Sequence, residues 1–172
     1  MSGIIDTVGS KSGIVGSDVY PAGHVIQTKT TVSTGQVTFP NTNNSWSDIV
    51  PAAAITLTNS ANAVLISVEY SLVIGGGNYP AIKVAIWWSI SGGSQNQGLV
   101  NHFTAYNGSG QENDYLVEPI LYYQLPATGA ELTYRLVGTN TTGSSFSGTY
   151  TGYASPAWAG HDSNMILQEI QV

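Results

Sequence analysis

The side chains that commonly carry chemistry are thinly spread along this sequence. Its three histidines, His24, His102 and His161, are far apart, and none lies at metal-ligand spacing from another. One acidic group, formed by Glu112, Asp114 and Glu118, lacks the regular spacing of a calcium loop. Because a metal site normally has clustered ligands and partners that orient them, the sequence predicts no metal site and surface or structural roles for these residues.

Motifs for catalysis are also missing. There is no G-x-S-x-G nucleophile elbow, and the glycines before Asn78 are followed by Tyr79 and Pro80 instead of a lysine and a helix. Glycoside hydrolysis needs two carboxylates across a cleft, and Glu69, Glu118 and Glu131 have no feature that marks them as such a pair. We therefore predict no enzyme, no catalytic residue and no cofactor.

Aromatic residues offer the clearer candidates. Trp87 and Trp88 are adjacent, so on a strand they point to opposite faces, one to the core and one outward. Tyr106, Tyr153 and Trp158 lie in or beside loops rich in Gly, Ser and Asn. The outward tryptophan, Trp87, and these three residues are candidates for subunit contact or for stacking on a glycan, with ordinary loop packing as the alternative.

Two long β-patterned runs organise the chain. Apolar residues alternate with polar ones from Val64 to Ile74 and again from Ile82 to Ile90, which is the period of half-buried strands. We predict that the runs pair as an antiparallel hairpin across a flexible loop at 75–80, since Pro80 cannot donate to a ladder. The predicted core residues are Val64, Ile66, Val68, Leu72, Ile82, Val84 and Ile86.

The remaining segments alternate more weakly but are also β-patterned. Trp46 to Val50 and Ala53 to Thr58 are predicted as two short strands around Pro51, and a bulge or a sheet edge is expected at Pro119. About ten strands result, and no segment has a helical period. Their spacing predicts an all-β fold, an antiparallel two-sheet sandwich of jelly-roll type over residues 22–172, preceded by an N-terminal arm over 1–21.

Composition limits the function. A chain of 172 residues can bury a full core, but only 8% of its residues are charged while 42% are hydrophobic. Four basic residues against ten acidic ones exclude the cationic surface that nucleic-acid binding requires. With so few charges to protect sheet edges, the sequence predicts that some edges are covered by other copies of the chain.

The termini and the cysteine count add further limits. There is no cysteine, so disulfides and thiolate metal sites are excluded. The first residues have neither the basic start nor the apolar run of a secretory signal, and no apolar run is long enough to span a bilayer. We therefore expect synthesis in a cytoplasm and no membrane insertion.

Several segments together resemble small β-sandwich proteins of the virions of tailed bacteriophages. AITLTNSANAVLI at 54–66 matches a recurring pattern of that family, as do Asp48 and Ile49 before it. The late and final strands are similar at 126–128, 133–136 and 164–170, the leader at 2–14, and the start of the sandwich at 21–27. The loops at 107–112 and 155–161 depart from the pattern of that family.

The resemblance implies an accessory virion protein, assembled in the host cytoplasm, that decorates or cements the capsid surface as an oligomer, expected to be a homotrimer. Its arm would dock on capsid or other virion proteins through five apolar residues, Ile4, Ile5, Val8, Ile14 and Val15. A tail fibre usually carries a long shaft before its tip, and because we expect none before this sandwich, the capsid is favoured over the tail. The alternatives are a tail fibre or receptor-binding tip, with a host surface glycan as ligand, and a carbohydrate-binding module.

Overall fold

The computed structural model describes residues 22–33, 37–38, 45–74, 81–104, 114–140, 149–151 and 162–172. Ten strands lie in these ranges. They are β1 (Val25–Ser33), β2 (Val37–Thr38), β3 (Trp46–Ile55), β4 (Ala63–Ile74), β5 (Ala81–Ile90), β6 (Asn96–Thr104), β7 (Asp114–Gln124), β8 (Leu132–Asn140), β9 (Thr149–Thr151) and β10 (Ser163–Ile170). The predicted arm, 1–21, lies outside the described residues.

The strands form two antiparallel sheets. One contains β1, β10, β4 and β7, with the short β9 pairing with the end of β4 and β2 pairing with β9, and the other runs β3, β8, β5, β6. The eight long strands pair as nested hairpins, β1 with β10, β3 with β8, β4 with β7 and β5 with β6. This nesting is the jelly-roll arrangement, so the predicted fold class is confirmed.

The predicted hairpin between the two long runs is wrong. β4 pairs with β7, β9 and β10, whereas β5 pairs with β6 and β8 in the opposite sheet. Alternation fixes which face of a strand is buried, but it does not choose the pairing partner. Two consecutive strands that lie in different sheets have the same local alternation as two strands of a hairpin. The loop at 75–80 lies outside the described residues.

Two further expectations concern prolines. Pro51 does not separate two strands, because β3 runs continuously from Trp46 to Ile55 and absorbs the proline through register irregularities between Asp48 and Ala53. Pro119 aligns with Glu69 without a register shift, and β7 pairs only with β4 among the described strands. β7 is therefore an edge strand, where a missing N–H is tolerated.

The core lies between the sheets, and the described part of the predicted core set is confirmed. Val64, Ile66 and Val68 on β4 and Val84 and Ile86 on β5 are buried. The side chains of Leu72 and Ile82 are not among those described. The same core cluster also contains buried residues of β3, β7, β8 and β10: Ile49, Val50, Ile55, Ile120, Leu132, Tyr134, Leu136, Met165 and Leu167.

The two sheets approach each other closely where β6 of one faces β7 of the other. A Cβ built on Gly98 of β6 would lie 3.0 Å from Cε1 of Tyr122 and 3.2 Å from the carbonyl oxygen of Ile86. The Tyr122 ring therefore packs on the backbone of Gly98, and it also packs against the core cluster. Glycine at this position lets β7 sit close to the opposite sheet.

Candidate functional surfaces

The outer face of the four-stranded sheet carries a tryptophan pair. Trp88 packs against the core while Trp87 points outward, as predicted for neighbours on a strand. The ring of Trp87 contacts that of Trp46, with centroids 5.2 Å apart and planes tilted by 47°. Ala85 and Val137 pair in the register between the two tryptophans and are at most 1% exposed.

A bidentate ion pair lies beside these rings. Arg135, opposite Trp87 in the register, donates from Nε to Oδ1 of Asp48 at 2.8 Å and from Nη2 to Oδ2 at 2.5 Å. Both side chains are about one-third exposed, so the pair is screened and adds little to stability. Trp87 Nε1 is buried and has no acceptor among the described residues. This surface therefore presents aromatic rings, a part-exposed carboxylate and a guanidinium together.

Glu169 is the one charged side chain that is fully buried in the described part of the chain. Its Oε1 accepts from Asn62 Nδ2 at 2.6 Å and from the backbone N and Oγ1 of Thr58 at 2.8 and 2.7 Å. Its Oε2 accepts from Gln27 Nε2 at 2.7 Å, and the same amide donates to the carbonyl oxygen of Thr56. The carboxylate thus ties β10 to β1 and to the connection from β3 to β4.

This network fixes the charge state of Glu169. Burial alone would raise its pKa, but the hydrogen bonds from Asn62, Gln27 and Thr58 outweigh burial and hold the pKa below its ordinary value. With four donors in place and no exposed surface, the group cannot reach a substrate, so we interpret it as structural.

A second buried polar contact joins the two sheets directly. The Tyr134 hydroxyl donates to Oε1 of Gln124 at 2.8 Å, and burial raises the pKa of this phenol. Gln124 is the last residue of β7, so the bond fastens the end of the edge strand to β8 across the sandwich.

The end of β7 also carries an exposed row of large apolar side chains. Leu121, Tyr123 and Leu125 are 68, 51 and 57% exposed, whereas Ile120 is buried. Residues two apart on a strand share a face, so Leu121 and Tyr123 point outward together, and Leu125 directly follows the end of β7. These three exposed residues are here called the apolar edge. Neighbouring strands extend it with partly exposed Leu65 on β4 and Ile166 on β10.

The structure places only one of the predicted contact residues, Trp87. The docking candidates Ile4, Ile5, Val8, Ile14 and Val15 and the loop aromatics Tyr106, Tyr153 and Trp158 lie outside the described residues. Their roles remain predictions. Sequence reasoning missed the partners of Trp87, the Glu169 network and the apolar edge.

Only the last of these had a readable pattern. Residues 120–123 are apolar on both faces, and Pro119 beside them already pointed to an edge. An edge strand with two apolar faces must expose one of them. Ion pairs and buried carboxylates depend on residues distant in sequence, so no local pattern shows them.

Within the described ranges, no group of three or more His, Cys, Asp or Glu side chains is placed to hold a metal ion. The described residues also contain no helix long and apolar enough to cross a membrane.

Comparisons with known proteins find similarity in shape alone. No protein-family model matches the sequence, and no curated protein matches it. Among solved structures, that of the infectious bursal disease virus Gt strain aligns with 98% of this chain at a TM-score of 0.42 and 10% identity. The Gx strain structure gives 0.38 and 10%, and a mutant VP2 protein of the same virus in derived T=1 particles gives 0.40 and 11%.

The chain spans less than half the length of these viral chains, namely 43, 42 and 40% of them. The neighbours are proteins of virus particles, and at these TM-scores the similarity carries no functional argument.

Proposed function

We propose that this chain is a structural virion protein of a tailed bacteriophage that decorates or cements the capsid surface as an oligomer, held there by its N-terminal segment. The observation that carries the proposal is the jelly-roll sandwich itself, with its buried core and its uncharged apolar edge. Jelly rolls recur in viral capsid proteins and lectins, so the step from fold to function is one of analogy, supported by the sequence resemblance.

The surface chemistry supports a body that associates with other proteins. Among the described residues, the one fully buried carboxylate, Glu169, is occupied by four donors, and the exposed Glu69 and Glu131 belong to no cluster placed to hold a metal. An exposed apolar row on an edge strand is instead typical of a contact surface.

A receptor-binding tail tip is the second candidate, and one observation favours it. Trp46 and Trp87 lie beside the part-exposed Asp48 and Arg135, and aromatic rings next to polar groups suit a sugar, whose ring stacks while its hydroxyls bond. In that case the outer face of the four-stranded sheet would bind a host surface glycan.

Imaging of purified phage particles with gold-labelled antibody against this protein tests both candidates. Label over the capsid supports decoration, and label confined to the tail tip supports the receptor-binding alternative. Particles without label would contradict a virion role of either kind, provided that the same antibody detects the protein in infected cells.

The attachment mechanism gives a separate prediction. The described sandwich closes at Gly23, whose N–H donates to the carbonyl oxygen of Gln171, so a chain beginning at Ala22 should fold and keep its oligomeric state. It should fail to bind particles stripped of the native protein. Sedimentation of the mixture measures the bound fraction.

A matched full-length variant, Ile4→Asp/Ile14→Asp, should show the same failure, since burying each isoleucine contributes about 1.5–3 kcal/mol and several arms bind together. Normal binding by the shortened chain would move attachment onto the sandwich.

A further inference from the structure

We propose that the apolar edge, Leu121, Tyr123 and Leu125, is where one copy of this chain meets another. The inference deepens the proposed function, on which it rests for the premise that the chain is an oligomer, by assigning the contact to particular residues. Their exposures are 68, 51 and 57%, whereas Ile120, on the opposite face of β7, is 3% exposed.

The register shows that the edge belongs to a wider face. Leu121 lies opposite Ser67 and Tyr123 opposite Leu65 across β4. Beyond them, Ile166 and Gln168 continue the same rows on β10, and Thr30 and Thr28 on β1. These two rows contain no charged residue at all.

The backbone of β7 supports the same assignment. Among the described strands β7 pairs only with β4, so no described strand lies along its other side over Ile120 to Gln124. Sheet edges are usually protected by charged residues or prolines, and this half of β7 has neither beyond Pro119 at its start. With respect to the described strands, a strand of a second copy could therefore pair along this side of β7 and cover its exposed side chains.

The charge distribution favours a second copy of the chain as the occupant. The protein has a formal net charge of −6, so two copies repel each other wherever acidic residues meet. The rows through Leu121 and Tyr123 allow approach without that repulsion, because the nearest acid on this face among the described residues, Glu69, lies in the next row. A cationic partner would gain nothing from an uncharged face, whereas a second copy brings the same apolar chemistry and an equally open edge.

The test uses the full-length chain and the variant Leu121→Arg/Tyr123→Arg. The wild-type protein should run as an oligomer in light scattering after size exclusion, and the variant should dissociate on dilution. Loss of two apolar anchors and introduction of like charges should raise the dissociation constant by about 100-fold or more, at a tenfold change per 1.4 kcal/mol. The melting temperature extrapolated to monomer should stay the same, since both side chains are exposed.

The matched control is Thr28→Arg/Thr30→Arg, which places the same charges in the same two rows but on β1. It should leave the dissociation constant within threefold of the wild type. Because the chain has no cysteine, Tyr123→Cys and Thr28→Cys also allow single labels with a polarity-sensitive dye. Only the label at position 123 should shift to the blue as concentration rises.

A wild-type protein that is monomeric at all concentrations, or an oligomer that survives Leu121→Arg/Tyr123→Arg unchanged, would overturn the assignment. Neither result depends on the particle, so the assignment can fail while antibody labelling still places the protein on the virion, and the reverse also holds.

Discussion

Glu169→Gln should lower the free energy of unfolding by about 2–4 kcal/mol, since hydrogen bonds to a charged group contribute about 1.5–3 kcal/mol each. The substitution keeps the shape of the side chain but replaces one acceptor oxygen by an NH₂ group. If that group takes the place of Oε2, it meets the Nε2 donor of Gln27, and if it takes the place of Oε1, it meets the three donors of Thr58 and Asn62. Urea unfolding at neutral pH measures the difference.

The control is Glu69→Gln, the same chemical change at an exposed position in the same sheet. Exposed substitutions away from such networks usually change stability by less than about 0.5 kcal/mol. If both variants unfold at the same urea concentration as the wild type, the four hydrogen bonds of Glu169 are not contributing as described.

The same network makes the stability of the fold depend on pH. The pKa of Glu169 is lower in the folded chain than its ordinary value of 4.5, so the unfolded chain binds its proton more readily. The contribution of ionised Glu169 to the free energy of unfolding is complete above pH 4.5 and is lost as pH falls through the folded-state pKa. The wild-type protein should therefore lose stability in this range, and Glu169→Gln should remove that part of the pH dependence, which urea titrations from pH 3 to 7 would detect.

The sequence predicted the strands well because burial is encoded locally. Val64, Ile66 and Val68 alternate with Leu65, Ser67 and Glu69, and the sheet buries the first set as expected. Pairing could not be read in this way, because β4 finds its partners β7 and β10 far along the chain. The nested order is a property of the whole chain, and the jelly roll was predicted from strand number and spacing alone.

β10 shows where local pattern fails altogether. Met165, Leu167 and Glu169 face the core, while Ile166 and Ile170 point outward. The two faces of β10 are nearly equal in hydrophobicity, and the presence of Glu169 would predict that its face is exposed, although that face is the buried one. Only its donors, which come from β1 and from the connection before β4, make a buried carboxylate stable here, and they are distant in sequence.

Ile66→Ala and Ile86→Ala should each lower the free energy of unfolding by about 2–5 kcal/mol, the range found when a buried aliphatic side chain is cut back to alanine. Ile66 on β4 and Ile86 on β5 are both fully buried and belong to the one core cluster, from opposite sheets. Neither sheet can close the space left behind without moving its backbone toward the other. Thermal and urea unfolding of each variant give the values.

Leu121→Ala is the matched control, because it removes aliphatic carbons of similar number from a side chain that is 68% exposed. Measured on the monomer at high dilution, where contacts between copies do not contribute, its loss should stay below about 1 kcal/mol, and Thr28→Ala should cost as little. A shift of one residue in the register of β4 would bury Leu65 in place of Ile66. Equal losses at Ile66 and at Leu121 would therefore mean that the buried and exposed faces of the six-stranded sheet have been assigned the wrong way round.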